Sequence, residues 1–145
     1  MEKGMLSWLI NNHIQSETKL DQVFGPLIYL AQKNDDIKVE SANTAFEDLF
    51  DWHDYNWRYG IYVEHLLPTG GRKRFLDALA KAEEKPWNQI MLDTELKKKD
   101  GTILYCKAHI FCIDKNVEET KYLVRLDYDL ETQIKDALFT EALCQ

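Results

Sequence analysis

The stretch ELKKKDGTILYCKAHIFCID occupies residues 95–114, and the fold prediction starts from it. Asp100-Gly101 lies between two alternating apolar runs, and this dipeptide is typical of a type I′ turn, which needs a positive φ at both central residues. The stretch therefore predicts a β-hairpin with strands over residues 88–98 and 102–114. A third strand is predicted over residues 121–127, and a polar helix follows it directly. Three antiparallel strands that pass into a helix indicate a domain that receives a signal and passes it to an output helix, rather than an enzyme scaffold.

Alternation along residues 102–114 assigns the side chains to the two faces of the predicted sheet. The internal face is expected to carry Leu104, Cys106, Ala108, Ile110 and Cys112, and the other face Tyr105, Lys107, His109 and Phe111. Cys106 and Ala108 are small, so the internal face leaves space inside the domain. The other face is half aromatic, so we expect a helix or a second subunit to cover it.

Length and charge restrict the class of protein. The chain has 145 residues, which is enough for one domain with a core and too short for two. Apolar residues make up 45% and charged residues 30%, a composition typical of soluble globular proteins. The net charge of −7 argues against nucleic acid or an anionic membrane as the main partner.

Apolar runs and cysteines indicate the compartment. No apolar run approaches the roughly 18 residues of a spanning helix, so we expect no membrane insertion. The first apolar patch is short and is interrupted at residues 11–13, unlike a signal peptide. Three cysteines without a framework spacing fit a reducing environment. These features predict a cytoplasmic protein.

Three segments are predicted along the chain. Residues 1–24 form an N-terminal helical cap, because their apolar residues recur at helical spacing. The apolar stripe of this helix either folds back on the domain or pairs with a second copy, and the sequence leaves both open. Residues 25–130 form the main domain. Residues 131–145 are the start of a C-terminal linker helix that continues into a partner domain.

The first half of the main domain predicts two strands and a long helix. The strands cover residues 27–32 and 37–41, and the helix runs from about residue 72 to residue 84. The aromatic segment at residues 51–63 has no clean period, so it predicts short helical turns.

A short helix is predicted to end at Phe50. Either Asn43 or Thr44 caps it, and Thr44 with Glu47 has the spacing of a capping box.

Four short motifs occur in a defined order. Residues 43–50 read NTAFEDLF, residues 66–68 read LLP ahead of Arg72 and Phe75, residues 98–101 read KKDG, and residues 127–129 read DYD. Over residues 27–138, these motifs resemble the PAS domain, a small sensor fold of signalling proteins. They are similar to the family's N-x-A-F-x-x-L-F helix start, the lead into its long helix, its K-D-G hairpin and its Asp-Ile-Thr junction.

The resemblance implies an α+β fold with a PAS-like five-stranded antiparallel sheet and helices on one face. An N-terminal amphipathic helix and a C-terminal output helix would flank it. At the junction, Asp127 matches the family's aspartate, while Asp129 replaces the usual threonine, so this position lacks the usual hydroxyl. These three residues are the expected signal-transmission segment.

By resemblance, the chain is a sensory and dimerisation module. A homodimer is expected through the N-terminal helix and the outer sheet face. A C-terminal effector domain in the same polypeptide, a histidine kinase or a GGDEF-type diguanylate cyclase, is expected to carry the enzymatic activity. Neither catalytic domain is present in these 145 residues, so we expect this chain itself not to be an enzyme.

The aromatic segment at residues 51–63 is compatible with a small-molecule pocket, because such sites are mostly apolar with a few placed polar groups. Aromatic residues also pack ordinary cores, so a ligand-free interaction module remains an alternative. The expected pocket residues are Phe50, Tyr59, Leu66, Phe75, Leu79, Leu92, Cys106, Ala108 and Val124.

The resemblance does not identify a cofactor. The haem-binding type of PAS domain carries a histidine in its long helix. This chain resembles that type poorly, because the equivalent position holds Phe75. The flavin-adduct type has an asparagine-cysteine-arginine run in its helical block, whereas no cysteine precedes Cys106. The ligand, if any, is therefore left open.

Two other chemical patterns are weaker. Cys106-x-x-His109-x-x-Cys112 has spacing that suggests a metal site, but the strand period points the histidine away from the cysteines. Residues 69–74, TGGRKR, place cations at a helix N-terminus, which suits a phosphate or carboxylate ligand, but a surface loop with solvated basic residues is the favoured interpretation.

An enzyme reading would recruit Glu64 with His65, or His53 with Asp54, as acid and base. Neighbours in sequence need not converge in space, and no nucleophile or oxyanion-stabilising element accompanies them. A small ligand-converting α+β enzyme is the least favoured alternative.

Overall fold

The computed structural model describes residues 25–53, 55–57 and 59–128, with Leu138 and Ala142 as isolated helical residues. The predicted helices over residues 1–24 and 131–145 therefore fall outside the continuous described part. In chain order, the elements are β1 (Leu27–Lys33), β2 (Asp36–Ala42), α1 (Thr44–Phe50), β3 (Ile61–Tyr62), α2 (Arg72–Glu84), β4 (Ile90–Lys97), β5 (Ile103–Lys115) and β6 (Thr120–Asp127). Two 3₁₀ turns, Val63–Leu66 and Thr69–Gly71, precede α2.

The six strands form one sheet in the order β3-β2-β1-β6-β5-β4. Every neighbouring pair is antiparallel. The N-terminal and C-terminal strands β1 and β6 are neighbours at its centre, so β6 delivers the chain from the middle of the sheet. The core lies between one face of this sheet and helices α1 and α2.

The predicted count of five strands is wrong for the described residues, which contain six. The additional strand, β3, has two residues, and it pairs with Lys38 and Val39 on the edge of β2. Gly60 has a φ of 63°, which turns the chain into this pairing. Two residues are too few to show an alternating pattern, so the sequence predicted helical turns there.

The predicted hairpin between β4 and β5 is confirmed, but its turn type is different. The Gly101 N–H donates to the Lys98 carbonyl at 2.9 Å, and Gly101 has a φ of 94° while Asp100 does not have a positive φ. A hairpin loop that ends in a left-handed glycine replaces the type I′ turn. The Asp100 side chain instead accepts from the Thr102 N–H at 2.9 Å, which stabilises the loop locally.

The predicted faces of β5 are confirmed. Cys106, Ala108, Ile110 and Cys112 are buried in the core, whereas Tyr105 on the other face is 54% exposed. β5 lies between β4 and β6, and a register shift between Cys112 and Asp114 marks the end of the regular alternation.

Asn43 caps α1, so the capping-box alternative with Thr44 is wrong. Its Oδ1 accepts from the Phe46 N–H at 3.1 Å and from the Leu27 N–H at 2.9 Å, and its Nδ2 donates to the Gly25 carbonyl at 2.8 Å. Asn43 is fully buried. One amide therefore caps the helix and also fixes the start of β1.

Candidate functional site

Eight of the nine predicted pocket residues come together at the centre of the domain. Phe75 and Leu79 of α2 face Cys106 and Ala108 of β5 across the core. Leu92 is partly buried and packs against this cluster. The remaining three, which are also fully buried, are Phe50, Leu66 and Val124.

Tyr59 does not lie with the other eight residues. Its side chain is 77% exposed, because the chain turns at Gly60 immediately before β3 and carries Tyr59 to the surface. Its backbone N–H donates to the Asn56 carbonyl at 3.1 Å, which closes this turn. The structure therefore places Tyr59 outside the core cluster that contains the other eight predicted pocket residues.

The core aromatic rings come partly from a cluster that the sequence pattern did not resolve. Trp52, Tyr55 and Trp57 pack against one another with ring centroids 4.8–6.1 Å apart. Trp57 Nε1 donates to Glu47 Oε2 at 3.0 Å, which ties the cluster to α1. All three rings are partly buried against the core, so they form one wall of it.

The two described cysteines belong to the apolar interior. Burial raises the pKa of the Cys106 thiol to about 12, and burial is also the main cause of the raised pKa of Cys112. His109 lies on the opposite face of β5, as the strand period predicts. Within residues 25–53, 55–57 and 59–128, no cluster of three or more His, Cys, Asp or Glu side chains is arranged to hold a metal ion.

The end of β6 is organised around Asp127. One carboxylate oxygen, Oδ2, lies 2.6 Å from His109 Nε2 on β5, and the other, Oδ1, accepts from Arg125 Nη1 at 2.6 Å. The next residue, Tyr128, is partly buried and packs against the core cluster. Asp129 lies outside the described residues. Asp127 therefore contacts β5 on the outer face of the sheet, opposite α1 and α2, while Tyr128 contacts the core.

The outer face of the sheet carries a second apolar cluster. Leu27 and Leu123 are buried there, and Tyr29, Trp87, Phe111 and Ile113 pack against them. Burial also raises the pKa of Tyr29. The predicted apolar character of this face is therefore present in the structure.

The described residues of the enzyme alternative make contacts elsewhere in the fold. His53 Nδ1 lies 3.1 Å from Asp48 Oδ1 on the exposed side of α1, and His65 Nδ1 lies 3.2 Å from the Tyr62 carbonyl. Glu64 lies in the 3₁₀ turn, and Asp54 is outside the described residues.

One of the basic residues at the start of α2, Arg74, contacts the sheet. Arg74 donates from Nη2 to the Asp93 carbonyl at 3.0 Å, which covers a backbone acceptor of the edge strand β4. This hydrogen bond protects the sheet edge.

Among the helices of the described part, none is both long and apolar enough to span a bilayer.

The fold is similar to solved sensor domains. One is a light-oxygen-voltage domain studied with a flavin analogue, with 14% identity, a TM-score of 0.59, and coverage of 88% of this chain and 94% of that chain. Another is a sensory box histidine kinase/response regulator from Burkholderia thailandensis, with 10% identity, a TM-score of 0.52, and coverage of 87% and 94%. A third is the PAS domain of an HTR-like protein from Haloarcula marismortui, with 11% identity, a TM-score of 0.50, and coverage of 82% and 96%.

No protein-family model and no curated protein matches the chain. Identities of 10–14% leave the structural likeness to establish the fold. The strand order, the two core helices and these similarities agree, and the chain has a PAS fold.

Proposed function

We propose that this chain is the sensory module of a signal-transduction protein. It would pass the state of a ligand or partner from the core to a C-terminal helix through Asp127, Tyr128 and Asp129. The proposal draws on the fold, since the similar structures include a sensory box histidine kinase, and on the resemblance of the motifs. A histidine kinase or a diguanylate cyclase would be the effector in the same polypeptide.

The observation that carries the proposal is the path from the core to the end of β6. Val124 and Leu126 of β6 are fully buried in the same cluster as Leu79 of α2. Asp127 follows directly and is bonded to β5, and Tyr128 packs back on the core. A change in how α2 packs on the sheet would therefore reach the exit of the chain through adjoining side chains, and would shift the population of exit states.

The module would form a homodimer through its N-terminal helix and the outer sheet face, where the second apolar cluster supplies a hydrophobic surface. It would work in the cytoplasm. Size-exclusion chromatography with light scattering tests the dimer, and a strict monomer at high concentration would remove this part.

Replacing Ala108 with Leu tests the ligand part. Ala108 is fully buried and faces α2, so a larger side chain would occupy the space that a ligand needs. Native mass spectrometry of the purified chain should show a bound small molecule that A108L lacks. The control is Lys107→Leu on the exposed face of the same strand, which should retain the molecule.

A ligand-free interaction module is the second candidate. It is favoured by the close burial of the interior, since Phe50, Leu66, Phe75 and Val124 are all at most 1% exposed. In that case the native mass spectrum shows the bare chain, and A108L is destabilised by about 1–3 kcal/mol because the core is overfilled.

A further inference from the structure

His109 is buried in an unexpected place. It lies on the face of β5 opposite α1 and α2, yet the residue is only 6% exposed. Its Nε2 is fixed 2.6 Å from Asp127 Oδ2, while its Nδ1 is buried without a hydrogen-bond partner among the described residues. His53, by contrast, is an exposed histidine beside an exposed carboxylate.

The bond between His109 and Asp127 depends on the protonation of the ring. An ionised carboxylate only accepts, so neutral imidazole bonds to it only in the tautomer that carries the proton on Nε2. The protonated ring donates from Nε2 in every case, and the bond is then charge-assisted and short. The separation of 2.6 Å lies at the short end for a bond of this kind. Loss of the proton therefore weakens the contact.

The charges that face His109 come from three strands. Arg125 is its cross-strand neighbour on β6, and Lys107 lies in the next row between Asp93 of β4 and Asp127. The two cations oppose a charge on the ring, and the two carboxylates favour it. The nearest of these groups is Asp127, whose second oxygen is held by Arg125. When the His109 ring is charged, both His109 and Arg125 bind Asp127 strongly. When the ring is neutral, Arg125 is the main partner of Asp127.

We propose that His109 and Asp127 form a proton-responsive latch at the exit of β6. With His109 protonated, Asp127 is held against β5 and the backbone at Tyr128 is fixed. With His109 neutral, this hold is weakened and the exit changes its average position. Histidine is the side chain whose ordinary titration falls between about pH 5 and pH 8, so the latch would add a pH input to the sensor. Only its use as an input rests on the proposed function; the latch itself does not.

Nuclear magnetic resonance of the whole chain between about pH 5 and pH 8 tests the latch. The imidazole signals of His109 and the amide signal of Tyr128 are followed together. We expect the Tyr128 amide to shift with the same midpoint as the His109 ring. A Tyr128 amide that does not change in this range, or that follows a different midpoint, overturns the proposal.

Variants separate the latch from other titrations. In H109Q and in D127N, the Tyr128 shift should disappear. H53Q and H65Q are matched controls and should retain the full shift. Because D127N alters a half-exposed side chain, it keeps the test decisive even if H109Q does not fold. A Tyr128 shift that persists in D127N overturns the proposal, whereas the ligand test with A108L is independent of this result.

Discussion

Lys98 Nζ lies 2.9 Å from Asp51 Oδ2, and this ion pair joins the β4–β5 hairpin to the end of α1. The neighbouring Lys99 N–H donates to the Phe50 carbonyl at 3.0 Å, and Lys99 Nζ lies 5.4 Å from the centroid of the Trp52 ring. Asp51 is the principal cause of the raised pKa of Lys98. Two motifs about 50 residues apart in the sequence are therefore in contact, which indicates why both occur in the same fold.

The hairpin conformation predicts the effect of replacing Gly101. Gly101 has a φ of 94° and open space where a Cβ would lie, so G101A introduces backbone strain without a clash. We expect a loss of about 1 kcal/mol in the free energy of unfolding, measured by urea denaturation.

Gly70 provides the matched control for Gly101. It also has open space around its Cβ position, but it does not have a positive φ. G70A should leave the stability unchanged or raise it by up to about 1 kcal/mol. Equal losses in the two variants would contradict the assigned hairpin.

Asn43 should contribute more to stability than its size suggests. N43A removes the acceptor of the Leu27 and Phe46 N–H groups and the donor to the Gly25 carbonyl. Because these groups are then left without their partner, we expect a loss of about 3 kcal/mol in urea denaturation.

Asn116 is the control for Asn43. Its Oδ1 also accepts from two backbone N–H groups, those of Glu118 and Glu119, but in an exposed turn. N116A should cost only about 0.5 kcal/mol, because water replaces the lost acceptor. A loss in N43A as small as that in N116A would show that the Asn43 contacts are not formed.

The thiol of Cys106 makes stability depend on pH in the alkaline range. Its pKa rises from 9.0 to about 12 on folding, so stability is complete below about pH 9 and falls as the pH rises towards 12. By pH 10 the expected loss from this group is about 1.4 kcal/mol, because the unfolded thiol ionises and the folded one does not. Burial also raises the pKa values of Tyr29 and Tyr122.

The variant C106A isolates this contribution. Urea denaturation at pH 7 and pH 10 should show a smaller loss of stability in C106A than in the unmodified chain, by about 1.4 kcal/mol. The difference between the two chains cancels the effect of the tyrosines. An equal pH dependence in both would place the Cys106 thiol in contact with water.

The sequence predicted the regular elements because their signals are local. The alternation of residues 102–114 and the helical spacing of residues 72–84 each lie within one element, and both elements are present as β5 and α2. The core positions Phe75, Leu79 and Ala108 followed from the same periods.

Other features depend on contacts between distant residues, which no local pattern shows. Strand β3 exists only because its two residues pair with β2, and the exposure of Tyr59 depends on the turn at Gly60. The role of His109 depends on its neighbour Asp127, 18 residues further along the chain. The strand period predicted the face that His109 occupies but not its partner.

The central claim is that the packing of α2 on the sheet is transmitted to the end of β6, and the amide chemical shift of Tyr128 measures this most directly. L79A removes a fully buried side chain of α2, and K81A, exposed on the same helix, is its control. We predict that L79A moves the Tyr128 signal, that K81A does not, and that the movement is lost when L79A is combined with D127A. A Tyr128 signal that is unaffected by L79A, or that moves equally with and without Asp127, would contradict the account.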